Sequence, residues 1–149
     1  MRVVLQRVLE ARVDVAGRTV GAIGPGFLLL TGMAPGDGAG EIDWMARKIA
    51  GLRVFEDGEG KMNLPLSAVG GGCLVVSQFT LFGDCRKGFR PGFTGAASAA
   101  EAAAGVEAFV AALRGLDVPV ETGVFQADMQ VHLVNDGPVT LILERKAGA

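Results

Sequence analysis

Ser77-Gln78-Phe79-Thr80 ends an apolar run that begins at Cys73, and within four residues it offers hydroxyls, a carboxamide and successive backbone N–H groups. Donors arranged in this way suit a carbonyl substrate, because they stabilise the oxyanion that develops when an ester is attacked. Capping of a strand end uses the same residue types. A second polar island, Asn135-Asp136-Gly137-Pro138-Val139-Thr140, lies near the C-terminus between two strand-like runs. Gly137 admits close approach of the backbone to a ligand, while Pro138 removes an N–H and restricts φ, so that two carbonyls acquire a rigid aim. Gly-Pro is also one of the few bonds for which the cis form is accessible. An ordinary surface turn has the same composition. A third segment interleaves Arg86, Lys87 and Arg90 with Phe89, Pro91 and Phe93. That mixture suits phosphates and a stacked base. The expectation for its rings is a solvated loop pinned by two buried phenylalanines.

Familiar catalytic constellations are missing. His132 is the only histidine and stands in an alternating, strand-like run, and no Gly-x-Ser-x-Gly elbow supplies a nucleophile for it. No phosphate-binding Gly-x-x-x-x-Gly-Lys loop, dinucleotide fingerprint or His-Glu-x-x-His pair is present. Glu56-Asp57-Gly58-Glu59-Gly60 lacks the regularly spaced oxygen ligands of a calcium loop and reads as a solvated hairpin. Cys73 and Cys85 fit neither a zinc site nor a disulfide framework. No metal or cofactor is expected. Chemistry is left to the backbone, a hydroxyl or the substrate itself.

The elements that must position these islands follow from periodicity. Strands are predicted over Arg2–Val15, Thr19–Ile23 and Gly26–Met33, joined as a meander by Ala16-Gly17-Arg18 and Gly24-Pro25. A helix is predicted over Asp37–Leu52, with Ile42, Met45, Ile49 and Leu52 on one face and Trp44 at its edge. A short strand over Leu52–Phe55 leads into the hairpin. Cys73–Phe79, apolar up to its Ser77-Gln78 end, reads as a strand covered on both faces. Ser98-Ala99-Ala100-Glu101 forms a capping box that opens an Ala-rich helix burying Val106, Phe109, Val110 and Leu113. Short strands near Val118–Thr122, Met129–Val134 and Val139–Glu144 close the chain. At 149 residues this makes one domain, 1–149, with a substantial core. A net charge of −2 and a pI near 5.4 give no broad attraction for duplex nucleic acid, so no DNA partner is expected. The charges of Arg2 and Arg7 interrupt any leader-like core, and no apolar stretch reaches spanning length, which predicts a soluble cytoplasmic protein without a membrane partner.

Taken together, Met-Arg-Val-Val-Leu-Gln-Arg-Val at the N-terminus, Ser-Gln-Phe-Thr-Leu from Ser77, the Lys-Gly-x-Arg-Pro stretch and Asn-Asp-Gly-Pro-Val-Thr resemble the D-aminoacyl-tRNA deacylases over essentially the whole chain. The resemblance implies an α/β (α+β) fold with mixed, barrel-like β-sheets and two main helices packed outside, in a homodimer with active sites at the interface. It implies hydrolysis of the ester between a D-amino acid and the terminal adenosine of tRNA, extending to glycine mischarged on tRNA-Ala. Carried onto this chain, Ser77, Gln78, Phe79 and Thr80 would line the pocket of one subunit, and Gly137 and Pro138, joined by a cis bond, would enter from the other to reject L-amino acids. Arg7 would orient that turn, with Asn135, Asp136 and Thr140 in support. Phe125, Gln126, Ala127 and Met129 would receive the adenosine, and Arg86, Lys87 and Arg90 would meet tRNA phosphates. The family usually has glycine where this chain has Gln126, so a positive φ there would be costly. Two other functions fit the same residues: a non-catalytic dimer that binds tRNA ends, and a small-ester hydrolase on the same fold.

Overall fold

The computed structural model describes residues 1–149. Its centre is a pair of parallel strands, β3 (Gly26–Gly32) and β6 (Gly72–Ser77), in register from Gly26 opposite Gly72 to Thr31 opposite Ser77. Neither strand alternates polar with apolar, because both of its faces are covered. Phe27, Leu29, Cys73 and Val75 pack into the larger core cluster with the helices, whereas Leu28, Leu74 and Val76 join Val8, Ala11 and Val13 on the opposite face.

The helices are α1 (Ala39–Gly51) and α2 (Ala99–Gly115), which pack on each other and on the first of those faces. Helix α1 buries Ile42, Met45 and Ile49 of the predicted stripe together with Ala46, while Leu52, the fourth predicted member, caps the helix end and is half-buried. At the start of α2 the Ser98 hydroxyl accepts from Glu101 N–H at 3.2 Å, and the Glu101 carboxylate accepts from Ser98 N–H at 3.2 Å. This capping box satisfies two backbone donors that would otherwise lack partners. Phe109 and Leu113 are then driven fully into the core.

The predicted meander is corrected by the pairing of β1 (Arg2–Val15). Its residues Arg2–Val8 pair with β3 and Ala11–Val15 pair with β2 (Arg18–Ile23), while β8 (Met129–Glu144) runs along its other edge. β2 is too short to cover β1, so β3 takes the uncovered half of the same edge and β1 becomes central. The two predicted C-terminal strands are likewise one element, β8, because β1 is long enough to pair with both parts. Between them the register breaks: Gln6 faces Thr140 but Val8 faces Asn135, so residues 136–139 lie opposite Arg7 alone. Thus the Gly-Pro island is a bulge within a strand pair.

The predicted strand over Leu52–Phe55 is also displaced. β4 (Phe55–Glu56) pairs with β5 (Met62–Leu64) in a hairpin whose turn is organised by Asp57. The Asp57 carboxylate accepts from the Glu59 and Lys61 N–H groups and from the Asn63 amide, and these bonds, led by Lys61, hold its carboxyl below the usual range. Its oxygens are occupied by the turn.

β7 (Val120–Thr122) pairs with β6 in parallel and brings the sheet round towards β2, giving a nearly closed, barrel-like layer. Closure depends on Gly21, where a Cβ would lie 2.4 Å from the Thr122 carbonyl oxygen. Gly21→Ala should therefore push β2 from β7 and lower stability by about 1–3 kcal/mol. The expected readout is a lower urea midpoint with an unchanged m-value; an unchanged midpoint would mean that the barrel does not depend on this approach.

Candidate functional site

Arg7 is buried, with 5% of its surface exposed, and its guanidinium replaces the hydrogen bonds that the β1–β8 ladder loses at the bulge. Nε donates to the Asp136 carbonyl at 3.1 Å and lies 3.4 Å from the Asp136 carboxylate, while Nη1 donates to the Val54 carbonyl at 2.6 Å. From the opposite strand the Asn135 amide donates to the carbonyls of Arg7 and Val139, each at 3.0 Å. The loop is pinned at both ends. The Gly137–Pro138 bond is cis, Gly137 has φ +128°, and a Cβ there would meet the Arg7 guanidinium and the Val139 side chain, both at 2.9 Å. Only glycine fits that space. Gly137 and Pro138 are exposed, Val139 is buried behind them, and the exposed Thr140 accepts from the Gln6 amide at 3.3 Å.

The other island lies at a cleft of about 610 Å³. β6 stops at Ser77, two residues earlier than predicted, because Gln78 leaves the extended conformation (φ −143°, ψ 79°) and Phe79–Phe82 form one 3-10 turn. Bonds from Leu81 N–H to Gln78 and from Gly83 N–H to Thr80 close it. Ser77, Gln78 and Phe79 line one wall of the cleft, and Phe125, Gln126, Ala127, Asp128 and Met129 line the other. The start of α2 contributes Ala97, Ala99 and Ala102, small residues that composition did not single out. Thr80 is exposed beside the cleft, and its hydroxyl accepts from the Gln78 amide. Gln126 has φ +63°, so the side chain sits where glycine would be free of strain.

The single chain does not bring Gly137 and Pro138 into that cleft; they stand on the β1–β8 bulge. A more open recess of about 680 Å³ runs along α1 past Trp44, Arg53 and Arg145, but it includes no residue of either island. Its cations lean on the indole ring, with Arg145 5.0 Å and Lys48 5.3 Å from the ring centre.

The basic loop differs from expectation. Neither ring is buried: Phe89 is wholly exposed, and Phe93, 36% exposed, meets Phe79 edge-on with centroids 5.2 Å apart. Arg86 is held by Asp84 through two bonds of 2.9 and 2.8 Å, which keep the Asp84 carboxyl below and the Arg86 guanidinium above their ordinary ranges. His132 lies outside the cleft, 3.3 Å from the Asp14 carboxylate. The Asp14 carboxyl is held low chiefly by the Thr19 hydroxyl, which donates to it at 2.7 Å. Burial pushes the Cys73 thiol up to about 12, far from the range of a reactive thiolate.

The sequence model of the family described as D-Tyr-tRNA(Tyr) deacylase matches residues 4–144. A D-aminoacyl-tRNA deacylase of Heliobacterium modesticaldum is 57% identical over 148 residues, covering 99% of each chain. One of Chloroflexus aurantiacus is 59% identical over 144 residues, covering 97% of this chain and 90% of the relative. A solved structure titled c-Myc DNA Unwinding Element Binding Protein superposes with a TM-score of 0.92 at 40% identity, covering 99% of this chain and 100% of that one. The fold alone is shared with a probable eukaryotic D-amino acid tRNA deacylase, at a TM-score of 0.78 and 18% identity. With the family match spanning both polar islands and the strands that carry them, the chain belongs to the D-Tyr-tRNA(Tyr) deacylase family.

Proposed function

We propose that this chain hydrolyses the ester bond of D-aminoacyl-tRNA in the cytoplasm, releasing the D-amino acid and tRNA, and that it works as a homodimer. The observation that carries the proposal is the separation of two prepared parts. A cleft with Ser77, Gln78 and Phe79 on its wall is not lined by Gly137 or Pro138, and the exposed Gly137-Pro138 turn is held rigid outside that cleft. A second copy completes both. Relatives that share more than half of their residues with this chain carry the deacylase name.

An aminoacyl ester is already activated, so positioning and oriented donors suffice without a strong nucleophile. Phe125, Gln126, Ala127 and Met129 receive the terminal adenosine, and Lys87 and Arg90 meet phosphates, with Arg86 contributing less because Asp84 offsets its charge. Water attacks the ester carbonyl carbon and N–H groups around Phe79 and Thr80 stabilise the oxyanion. The bond to the ribose 3′-oxygen then breaks, and the proton lost by water reaches that oxygen through the neighbouring 2′-hydroxyl. The Thr80 hydroxyl accepts from Gln78 and has no base beside it, which disfavours it as a nucleophile.

Selection has to separate two arrangements around one carbon, and attractive pockets discriminate only by about 1–3 kcal/mol per methylene. Exclusion is stronger. The Gly137 and Pro138 carbonyls of one copy face the substrate's α-carbon in the other, where an L side chain would project and only hydrogen fits. A D side chain points outward, and glycine also enters.

Purified protein offered D-, L- and glycyl-tRNA without added metal should cleave the first and last and spare the second. Hydrolysis of the L ester at a comparable rate would refute the exclusion. Thr80→Ala should retain most of the activity, whereas substrate ending in 2′-deoxyadenosine should react at least about 100-fold more slowly, the scale of a lost proton relay. Normal cleavage of the deoxy ester would remove the 2′-hydroxyl from the mechanism. Arg7→Lys replaces a fork that meets Asp136 and Val54 from two separate nitrogens, Nε and Nη1, with one nitrogen that has to serve both sites. Its expected result is a folded protein that loses about 1–3 kcal/mol of stability, a charged bond's worth, and gains activity on L-aminoacyl-tRNA; unchanged chirality would show that Arg7 does not set the turn.

A further inference from the structure

Phe89 is fully exposed at the tip of a loop whose base is closed by paired backbone bonds between Asp84 and Gly92, of 2.7 and 3.0 Å. A single exposed ring would need no explanation. This one has two further features. Its flanking cations, Lys87 and Arg90, have no carboxylate partner, whereas Arg86 is matched by Asp84, and the recess beside them is lined without any hydrophobic side chain. The loop is also continuous with the cleft, since Phe93 at its base packs edge-on against Phe79 of the cleft wall.

An apolar face bracketed by uncompensated positive charge matches a polyanion that carries flat apolar faces. A protein surface covering Phe89 would strip water from Lys87 and Arg90 and would repay that cost only by setting a carboxylate against each of them. A duplex would offer phosphates but no free base face, because its bases are already stacked. An unpaired strand offers both, and aromatic stacking on it tolerates any base. Resting on the deacylase reading, we propose that Phe89 stacks on an unpaired base upstream of the terminal adenosine in the tRNA 3′ end, with Lys87 and Arg90 on the adjoining phosphates. Substrate recognition then extends beyond the nucleotide that carries the amino acid, and Phe89 determines whether a tRNA or a bare aminoacyl-adenosine is preferred.

Phe89→Ala is surface-exposed and should fold normally. The ratio of kcat/KM for D-aminoacyl-tRNA to that for D-aminoacyl-adenosine should fall about 5- to 150-fold, mainly through KM for the tRNA, as loss of one stacked base predicts. Phe89→Trp should restore it. Lys87→Ala and Arg90→Ala should reduce the salt dependence of tRNA binding, which Phe89→Ala leaves in place. An unchanged ratio, or a fall shared equally by both substrates, overturns the proposal. So does dissociation of the Phe89→Ala dimer in sedimentation, which would assign the ring to a contact between copies. Binding of uncharged tRNA, followed by anisotropy, separates this proposal from the deacylase reading. Phe89-dependent binding without turnover by the unaltered protein would sink the latter and leave the stacking contact intact.

Discussion

A buried guanidinium opposite a break in strand register is the constraint on which the pairing of the two longest strands, and the bulged turn within it, depends. β1 and β8 pair along almost their whole length, yet residues 136–139 must be accommodated opposite Arg7 alone. Unpaired carbonyls at such a bulge would be costly in a buried setting. Arg7 meets that cost by donating to Asp136 and Val54, and Asn135 completes the set from the other side. The result is a turn that faces solvent although its main support, Arg7, is buried. Gly137 is required because the same guanidinium occupies the space a Cβ would need.

Covering β3 and β6 on both faces has a comparable consequence at the cleft. Helices pack against one face and Val8, Ala11 and Val13 of β1 against the other, so the ladder releases backbone donors only past Gln78, whose N–H still donates to the Thr31 carbonyl. The chain turns there into the Phe79–Phe82 coil, and the start of α2 leaves only alanine methyl groups at the margin. The cleft thus sets a few polar groups, Ser77, Gln78, Gln126 and Asp128, among mostly apolar lining residues, the usual make-up of a small-molecule site.

Much of this was legible along the chain. The stripes of α1 and α2, the Ser98 capping box and the doubly covered run from Cys73 follow from periodicity and cap chemistry, which are local. The left-handed backbone at Gln126 was anticipated as a cost from its residue type, and the structure places it at φ +63°. The meander was not legible, because the rival pairings of β1 with β2 and β3 differ only in long-range geometry. The buried state assigned to Phe89 and Phe93 failed for a related reason. Ring content alone does not reveal which apolar residues have a partner within reach.

By itself the sequence determined which residues carry donors, where the glycine and proline stand, and the family to which the chain belongs. These depend on residue type and order. Tertiary structure decided that Arg7, 129 residues before Asp136, holds the Gly-Pro bulge, and that Ser77–Phe79 share a cleft with Phe125–Met129. It also left the bulge outside that cleft. Contacts between distant segments arise only when strand pairing selects one register among many, and that selection belongs to the packed sheet as a whole.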